Sequence, residues 1–283
     1  MSFVRRVNSL LPFQVAIAGR KRNALFSVLD PLFSKSTHDD VIATEFGQIQ
    51  LDSAHAPERW LSYAFYNILN YYKNSELGQY IAQNAHAGTT FIDVGANLGL
   101  YALVARCYGY ATLLVEPEPS HAAFLSRNVA VFGRTVAVAL SDHFGTMPLY
   151  YEDGNSGATS LVSAKGYQQG TDGIPVRTFS SLVSEGLIVN PRDVDLIKID
   201  VEGAEAQTVA GMSDFFGLGC RPAIWCEVRG DRSGRAPGSC RAVAQTLEEF
   251  GYAAYEFIGG ERREANASKL SDRGVFDMLF EAR

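Results

Sequence analysis

The chain has 283 residues, 47% hydrophobic and 20% charged, with a mean hydropathy of −0.03, which excludes wholesale disorder, collagen-like sequence and coiled coil. Twenty-five basic against 31 acidic residues leave a net charge of −6 and a pI near 5.4, which argues against a broad phosphate-tracking surface for nucleic acid. No apolar run approaches the ~18 residues needed to span a bilayer, so integral membrane association is not expected.

At the start of the chain, Arg5 and Arg6 precede an apolar stretch from Leu10 to Gly19 that is interrupted by Pro12 and Gln14 and followed by Arg20, Lys21 and Arg22. That pattern suits an exposed or membrane-grazing amphipathic segment better than a secretory leader, and the expected location is cytoplasmic. A short helix near the start and a loop around Ser34 to Asp40 come next. Val41 to Asp52 alternates about Gly47 and reads as a β-hairpin. Pro57 to Gln83 is helix-permissive and dense in aromatics (Trp60, Tyr63, Tyr66, Tyr71, Tyr72, Tyr80), a stripe read as packing rather than as an acceptor-binding platform. Residues 1–88 thus form an N-terminal extension and residues 89–283 the main domain. Cys107, Cys220, Cys226 and Cys240 contain no C-x-x-C pair and read as reduced thiols, and with five histidines scattered singly no structural metal is expected.

From Thr89 the chain alternates strand and helix. Strands are predicted at Thr90–Val94, Thr112–Glu116, Thr135–Leu140, Leu196–Asp200, Ala223–Val228, Ala253–Phe257 and Val275–Phe280. Helices are predicted at Leu98–Cys107, Ser120–Phe132, Ala204–Met212 and Cys240–Phe250. Repetition of strand, crossover helix and strand implies an α/β fold with a largely parallel sheet covered on both faces. Met147 to Val183 breaks this rhythm with a Gly-rich loop at Gly154–Gly157 and reads as an inserted antiparallel excursion. Gly230–Gly238 reads as a mobile loop.

The string Phe91-Ile92-Asp93-Val94-Gly95-Ala96-Asn97-Leu98-Gly99 carries a buried strand into a glycine-containing turn and an apolar helix. In a parallel sheet, ligands collect beyond such strand ends, and glycine lets backbone approach a ligand closely. The spacing Gly95-x-Asn97-x-Gly99 lacks the third glycine of a dinucleotide fingerprint. Asp93 at the strand end disfavours a polyanion and favours a ligand with a positive centre, such as S-adenosylmethionine. Glu116 ends the next strand, where a carboxylate can accept two ribose hydroxyls, with Pro117 and Pro119 fixing the turn. Ser141 and Asp142, after the third strand, are placed to meet an adenine edge.

These residues resemble the FkbM family of class I S-adenosylmethionine-dependent methyltransferases. The resemblance rests on FIDVGANLG (Phe91–Gly99), VEPEP (Val115–Pro119), ALSD (Ala139–Asp142), GNSGATSL (Gly154–Leu161) and above all DLIKIDVEGAE (Asp195–Glu205). It implies a Rossmann-like, seven-stranded, mostly parallel sheet with a final antiparallel strand. It further implies a cofactor site lined by Asp93, Gly95, Asn97, Gly99, Glu116, Ser141 and Asp142, S-adenosylhomocysteine as product, and O-methylation of a sugar, glycan or other natural-product scaffold. Where the family often carries Thr-Leu-Asp after the excursion, this chain has Thr178-Phe179-Ser180, so no role of that acid is carried over.

Methyl transfer requires in-line alignment and loss of a hydroxyl proton, which a nearby carboxylate with an elevated pKa can accept. Asp200 and Glu202 are the candidates, with Glu227 facing them and Lys198 within the strand; Glu205 also reads as a support for the first turn of its helix. Metal assistance at Asp200 and Glu227 is a separate hypothesis, not the expectation. Two competing readings are a nicotinamide-dependent oxidoreductase, disfavoured by the glycine spacing, and a binding module with the same fold and no chemistry.

Overall fold

The structure, a computed structural model, describes residues 41–52, 56–86, 88–152, 155–164, 166–258, 260–266 and 272–283. The expected N-terminal helix, the stretch Leu10–Gly19, the loop Ser34–Asp40 and Gly154 lie outside these. The chain divides into two units, Met1–Tyr71 and Tyr72–Arg283. In the first, β1 (Val41–Thr44) and β2 (Gly47–Gln50) form the expected hairpin, with Ile42 opposite Ile49.

The aromatic segment forms two helices rather than one, α1 (Ala56–Asn74) and α2 (Glu76–Asn84). Ser75 ends the first and caps the second, its Oγ accepting from the Gly78 N–H at 3.1 Å, as an N-cap serine does. In the larger unit Tyr72 meets Tyr101 edge to face at 4.6 Å, and Tyr80 contacts Trp225 while donating to Glu281 at 2.7 Å. Tyr72 and Tyr80 pack as expected, whereas Tyr66 and Tyr71 are 66% and 44% exposed; the side chains of Trp60 and Tyr63 lie outside the described residues.

The main domain continues with β3 (Thr90–Val94), α3 (Leu100–Cys107), β4 (Ala111–Val115), α4 (Pro119–Arg127), α5 (Val129–Phe132) and β5 (Arg134–Val136). The single helix expected over Ser120–Phe132 is broken at Asn128, whose side-chain amide donates to the Phe124 carbonyl while its own carbonyl starts the next turn. The strand expected at Thr135–Leu140 is also two: the Val138 N–H donates to the Val136 carbonyl at 3.1 Å, a tight bend that takes the chain out of the main sheet.

There follow β6 (Ala139–Leu140), β7 (Gly145–Glu152), β8 (Asn155–Ser160) and β9 (Tyr167–Arg177), which form a four-stranded sheet in the order β6-β9-β7-β8. This is the excursion the sequence pointed to, although residues 155–157, expected as loop, belong to β8. Its own small core joins Ala139, Leu149, Ile174 and Val176.

The chain returns through α6 (Phe179–Ser184), β10 (Val194–Ile199), α7 (Glu205–Ala210), α8 (Ser213–Gly217), β11 (Ala223–Arg229), α9 (Ser239–Glu249), β12 (Tyr252–Ile258), β13 (Glu261–Glu264) and β14 (Val275–Ala282). The main sheet has the order β13-β12-β14-β11-β10-β3-β4-β5. Strands β11, β10, β3, β4 and β5 are parallel, and β14 runs antiparallel to both β11 and β12. The expected seven strands and the antiparallel final one are present, with β13 as an eighth. All four residues of β13 (Glu-Arg-Arg-Glu) are exposed, and such charge discourages further pairing at a sheet edge.

Period two divides the sheet residues between its faces. Ile92, Val94, Leu113 and Ile199 enter the principal core with Phe179, Val209, Phe215, Val243 and Leu247 from the helices on that side. On the other face lie Phe91, Asp93 and Leu114, covered by α2, α3 and α5. Helices therefore cover both faces. Strand order reverses between β3 and β10, and in open α/β sheets the crevice beyond the strand ends at such a reversal is the ligand-binding position.

Candidate active site

The two turns that leave β3 and β10 touch. Gly95 has φ +76, and a Cβ built on it would lie 1.8 Å from the Asp200 carbonyl oxygen. Gly99 has φ +72, and its Cβ would meet Leu125 and Phe132 at 2.8 Å. Both glycines were expected to give way to a ligand; each is required first by a left-handed backbone and by protein atoms alongside it. Asn97, with φ +51, tolerates the same region as asparagine does, and its N–H donates to Glu116 Oε2 at 2.7 Å.

Glu116 is buried. Oε1 accepts from the Glu118 N–H at 2.8 Å, so each carboxylate oxygen holds one backbone donor and keeps a lone pair for another. Burial pushes its pKa up to about 7, against the opposing pull of those two N–H groups.

Asp93 departs from its expected placement: it is 1% exposed and turned beneath the strand end. Its carboxylate accepts from the Ala102 N–H and lies 3.2 Å from Lys198 Nζ, opposite in register on β10. Lys198 also reaches the Gly95 carbonyl at 3.2 Å and Asp200 Oδ2 at 3.5 Å. Burial opposes its charge, but Asp93 and Asp200 more than compensate and its pKa is raised. Lys198 is thus a fixed cation that ties the β3 turn to the β10 turn. Ser141, buried, donates to Asp142 at 3.1 Å, while Asp142 is half exposed, paired with His143 at 2.7 Å and held acidic by it.

Beyond β10, Asp200, Glu202 and Glu227 each bring one carboxylate oxygen within 4.8 Å of the others. The structure assembles these three as the sequence suggested, and adds residues that reading missed. Arg229 Nη2 donates to Glu202 Oε2 and to Glu227 Oε2, both at 2.8 Å. Arg235 Nη1 donates to the same Glu202 oxygen at 3.0 Å and to the Glu202 carbonyl at 2.8 Å, with its guanidinium over the Tyr167 ring at 4.0 Å. Ser160 of the inserted sheet donates to that carbonyl as well, at 2.7 Å. These bonds hold Glu202 at φ +56, an uncommon backbone for a residue with a side chain. Gly230–Gly238, expected as mobile, is therefore pinned to the site through a buried Arg235. Asp277 on β14 lies opposite Glu227 in register.

Burial raises Glu202, Glu227 and Asp277. Glu202 rises to about 7, with Asp200 adding repulsion against the pull of Arg229; Glu227 is raised by burial and then by Asp200 and Glu202; Asp277 rises to about 6. The spacing Glu227-x-Arg229, two apart on one strand face, was legible in the sequence; the return of Arg235 and Asp277 to this point comes from tertiary pairing.

The family model for the methyltransferase FkbM domain matches residues 93–254, more than half of the chain, including every site residue described here except Asp277. The chain belongs to the FkbM methyltransferase family. The chain is similar to methyltransferase sdnD of Sordaria araneosa, 28% identical over 167 residues covering 48% of this chain and 64% of that protein. It is also similar to methyltransferase 1 of Beauveria bassiana, 29% identical over 146 residues covering 44% and 58%. The chain thus spans less than two thirds of the length of these relatives. Among solved structures, magnesium protoporphyrin IX methyltransferase (ChlM) from Synechocystis PCC 6803, with bound SAM, aligns over 92% of this chain and 95% of its own at 7% identity and a TM-score of 0.42. A TehB-like SAM-dependent methyltransferase from Corynebacterium glutamicum aligns over 82% and 100% at 13% identity and a TM-score of 0.42. No helix among the described residues of this FkbM domain is long and apolar enough to cross a membrane.

Proposed function

We propose that the chain is an S-adenosylmethionine-dependent methyltransferase (EC 2.1.1) that methylates a hydroxyl of a sugar, glycan or other natural-product scaffold. Family membership supports methyl transfer. The observation that carries the reading further is the placement of two groups on the strand ends either side of the β3 turn: a buried carboxylate beyond β4 with acceptor capacity to spare, and a carboxylate cluster on the β10 and β11 ends. The β3 turn lies between them, its Asn97 N–H donating to Glu116 and its Gly95 carbonyl tied through Lys198 to Asp200.

The donor set fits the cofactor. Glu116 offers a lone pair on each oxygen to a pair of vicinal hydroxyls. On this reading the turn Gly95–Gly99 is the floor of the site, and Ser141 and Asp142 meet the adenine edge of the cofactor. Asp93 supports that floor from below through Lys198 and Ala102. When bound, S-adenosylmethionine supplies an electrophilic methyl carbon on a positively charged sulfur. The chain's own part is to orient an acceptor hydroxyl and take its proton. Glu202, with a pKa near 7 and held by two arginines, is poised to receive that proton at neutral pH; Asp200, tethered to Lys198, orients the acceptor beside it. Glu227, raised further, serves as a hydrogen-bond donor across from them.

The test is thermal stability with S-adenosylmethionine, S-adenosylhomocysteine and NADH, followed by mass-spectrometric screening of hydroxylated acceptors. Upshifts with the first two and none with NADH, then a gain of one methyl on an acceptor that Glu202→Gln fails to give, support the reading. An NADH shift alone points to an oxidoreductase, and cofactor binding without any product points to a binding module.

A further inference from the structure

We propose that Arg229 is the resident cation of the acceptor end of the site, holding Glu202 and Glu227 as a pair in the position that a bridging divalent ion would otherwise take. Three carboxylate oxygens within 4.8 Å would suit a hard cation, which takes oxygen ligands at roughly 2.0–2.6 Å. Here one guanidinium nitrogen already donates to two of the three residues, at 2.8 Å each. Arg235 adds a second donor to the same Glu202 oxygen at 3.0 Å, which engages both in-plane lone pairs of that atom.

Neither arginine is a swinging surface side chain; they are 5% and 7% exposed. Arg229 stands two residues beyond Glu227 on β11, so strand geometry sends both to one face. Behind it, fully buried Glu205 brings Oε2 to 3.9 Å from Arg229 Nε, and neither atom has a hydrogen-bond partner among the described residues. That carboxylate draws the guanidinium inward and keeps it charged. Arg235 is fixed from the other side by the Tyr167 ring and the Glu202 carbonyl. An ion reaching these oxygens has to displace a buried guanidinium and sit beside its charge. Arg229 is accordingly a positioning residue: its single nitrogen sets the separation of the two carboxylates that face the acceptor.

The inference deepens the methyl-transfer reading, and its test does not use activity. Mn²⁺ binding to the full chain is followed by electron paramagnetic resonance and calorimetry for wild type, Arg229→Met, Arg229→Lys and Arg229→Met with Glu227→Gln. Wild type and Arg229→Lys show no site tighter than about 1 mM. Arg229→Met gains one site at least tenfold tighter, which the double variant lacks. One Mn²⁺ bound per wild-type chain and lost in Glu227→Gln overturns the proposal, as does a folded Arg229→Met that gains no site. If Arg229→Met does not fold, the wild-type and Arg229→Lys titrations decide. The S-adenosylmethionine thermal shift of the same proteins reports separately on the cofactor reading.

Discussion

The ammonium of Lys198 lies 3.2 Å from the Asp93 carboxylate on the neighbouring strand, and the two are 6% and 1% exposed. The pair occupies the boundary between the two turns of the site, with the Gly95 carbonyl as a third partner. Removing one member of a buried pair leaves the other charge uncompensated at a cost of about 3–5 kcal/mol. Lys198→Met is expected to lose that much in urea unfolding. Lys198→Met combined with Asp93→Asn is expected to recover part of it, and a strictly additive double variant would show that the two groups do not interact.

Gly95→Ala places a methyl group 1.8 Å from the Asp200 carbonyl in a left-handed backbone, whereas at Gly109, with φ +91, no atom of the described residues lies within 4 Å of such a methyl. Gly109→Ala carries only conformational strain, roughly 1–2 kcal/mol. Gly95→Ala adds an overpacking cost of about 1–3 kcal/mol. Equal urea midpoints for the two variants would contradict the contact between the turns.

Glu202 titrates at about 7 in the folded protein against 4.5 as its ordinary value. A raised carboxylate contributes stability that is full below pH 4.5 and is lost as pH rises through the folded value. The shift corresponds to roughly 3 kcal/mol. Melting temperature is therefore expected to fall from pH 5 to pH 8, and to fall less in Glu202→Gln. Parallel profiles for the two proteins would mean that Glu202 ionises normally.

Glu116→Gln keeps the size of the side chain but exchanges one acceptor oxygen for a donor, setting it against the Asn97 or Glu118 N–H. A hydrogen bond to a charged group contributes about 1.5–3 kcal/mol, so affinity for S-adenosylmethionine should fall by about 10- to 100-fold in calorimetry. Unchanged affinity would move the cofactor elsewhere.

Much of this arrangement was readable before any coordinates. Alternation of buried strand and helix gave the parallel sheet, and the acids at the ends of β3, β4, β10 and β11 marked its working edge. What local pattern could not supply was direction. Asp93 has the same neighbours in sequence whether it faces a ligand or a lysine, and only the β3–β10 register brings Lys198 opposite it. The break at Val136–Val138 was hidden because Ala137 and Val138 suit a strand; a single bend between them redirects the chain. Arg235 sits among Gly, Ser and Pro, a composition that signals a loop, and its burial comes from Glu202 and Tyr167, both distant in sequence.

The inserted sheet enters from β5 through that bend and leaves straight into α6, whose Phe179 belongs to the principal core. Both of its ends are thus anchored in the part of the molecule that must not change, while Ser160, at the end of β8, reaches back to the Glu202 carbonyl. Through that one hydroxyl the insertion bears on the backbone of Glu202 while adding no strand to the main sheet. Sequence change within the insertion is therefore a route to altering the acceptor end while the main sheet and the β3 and β4 turns stay as they are.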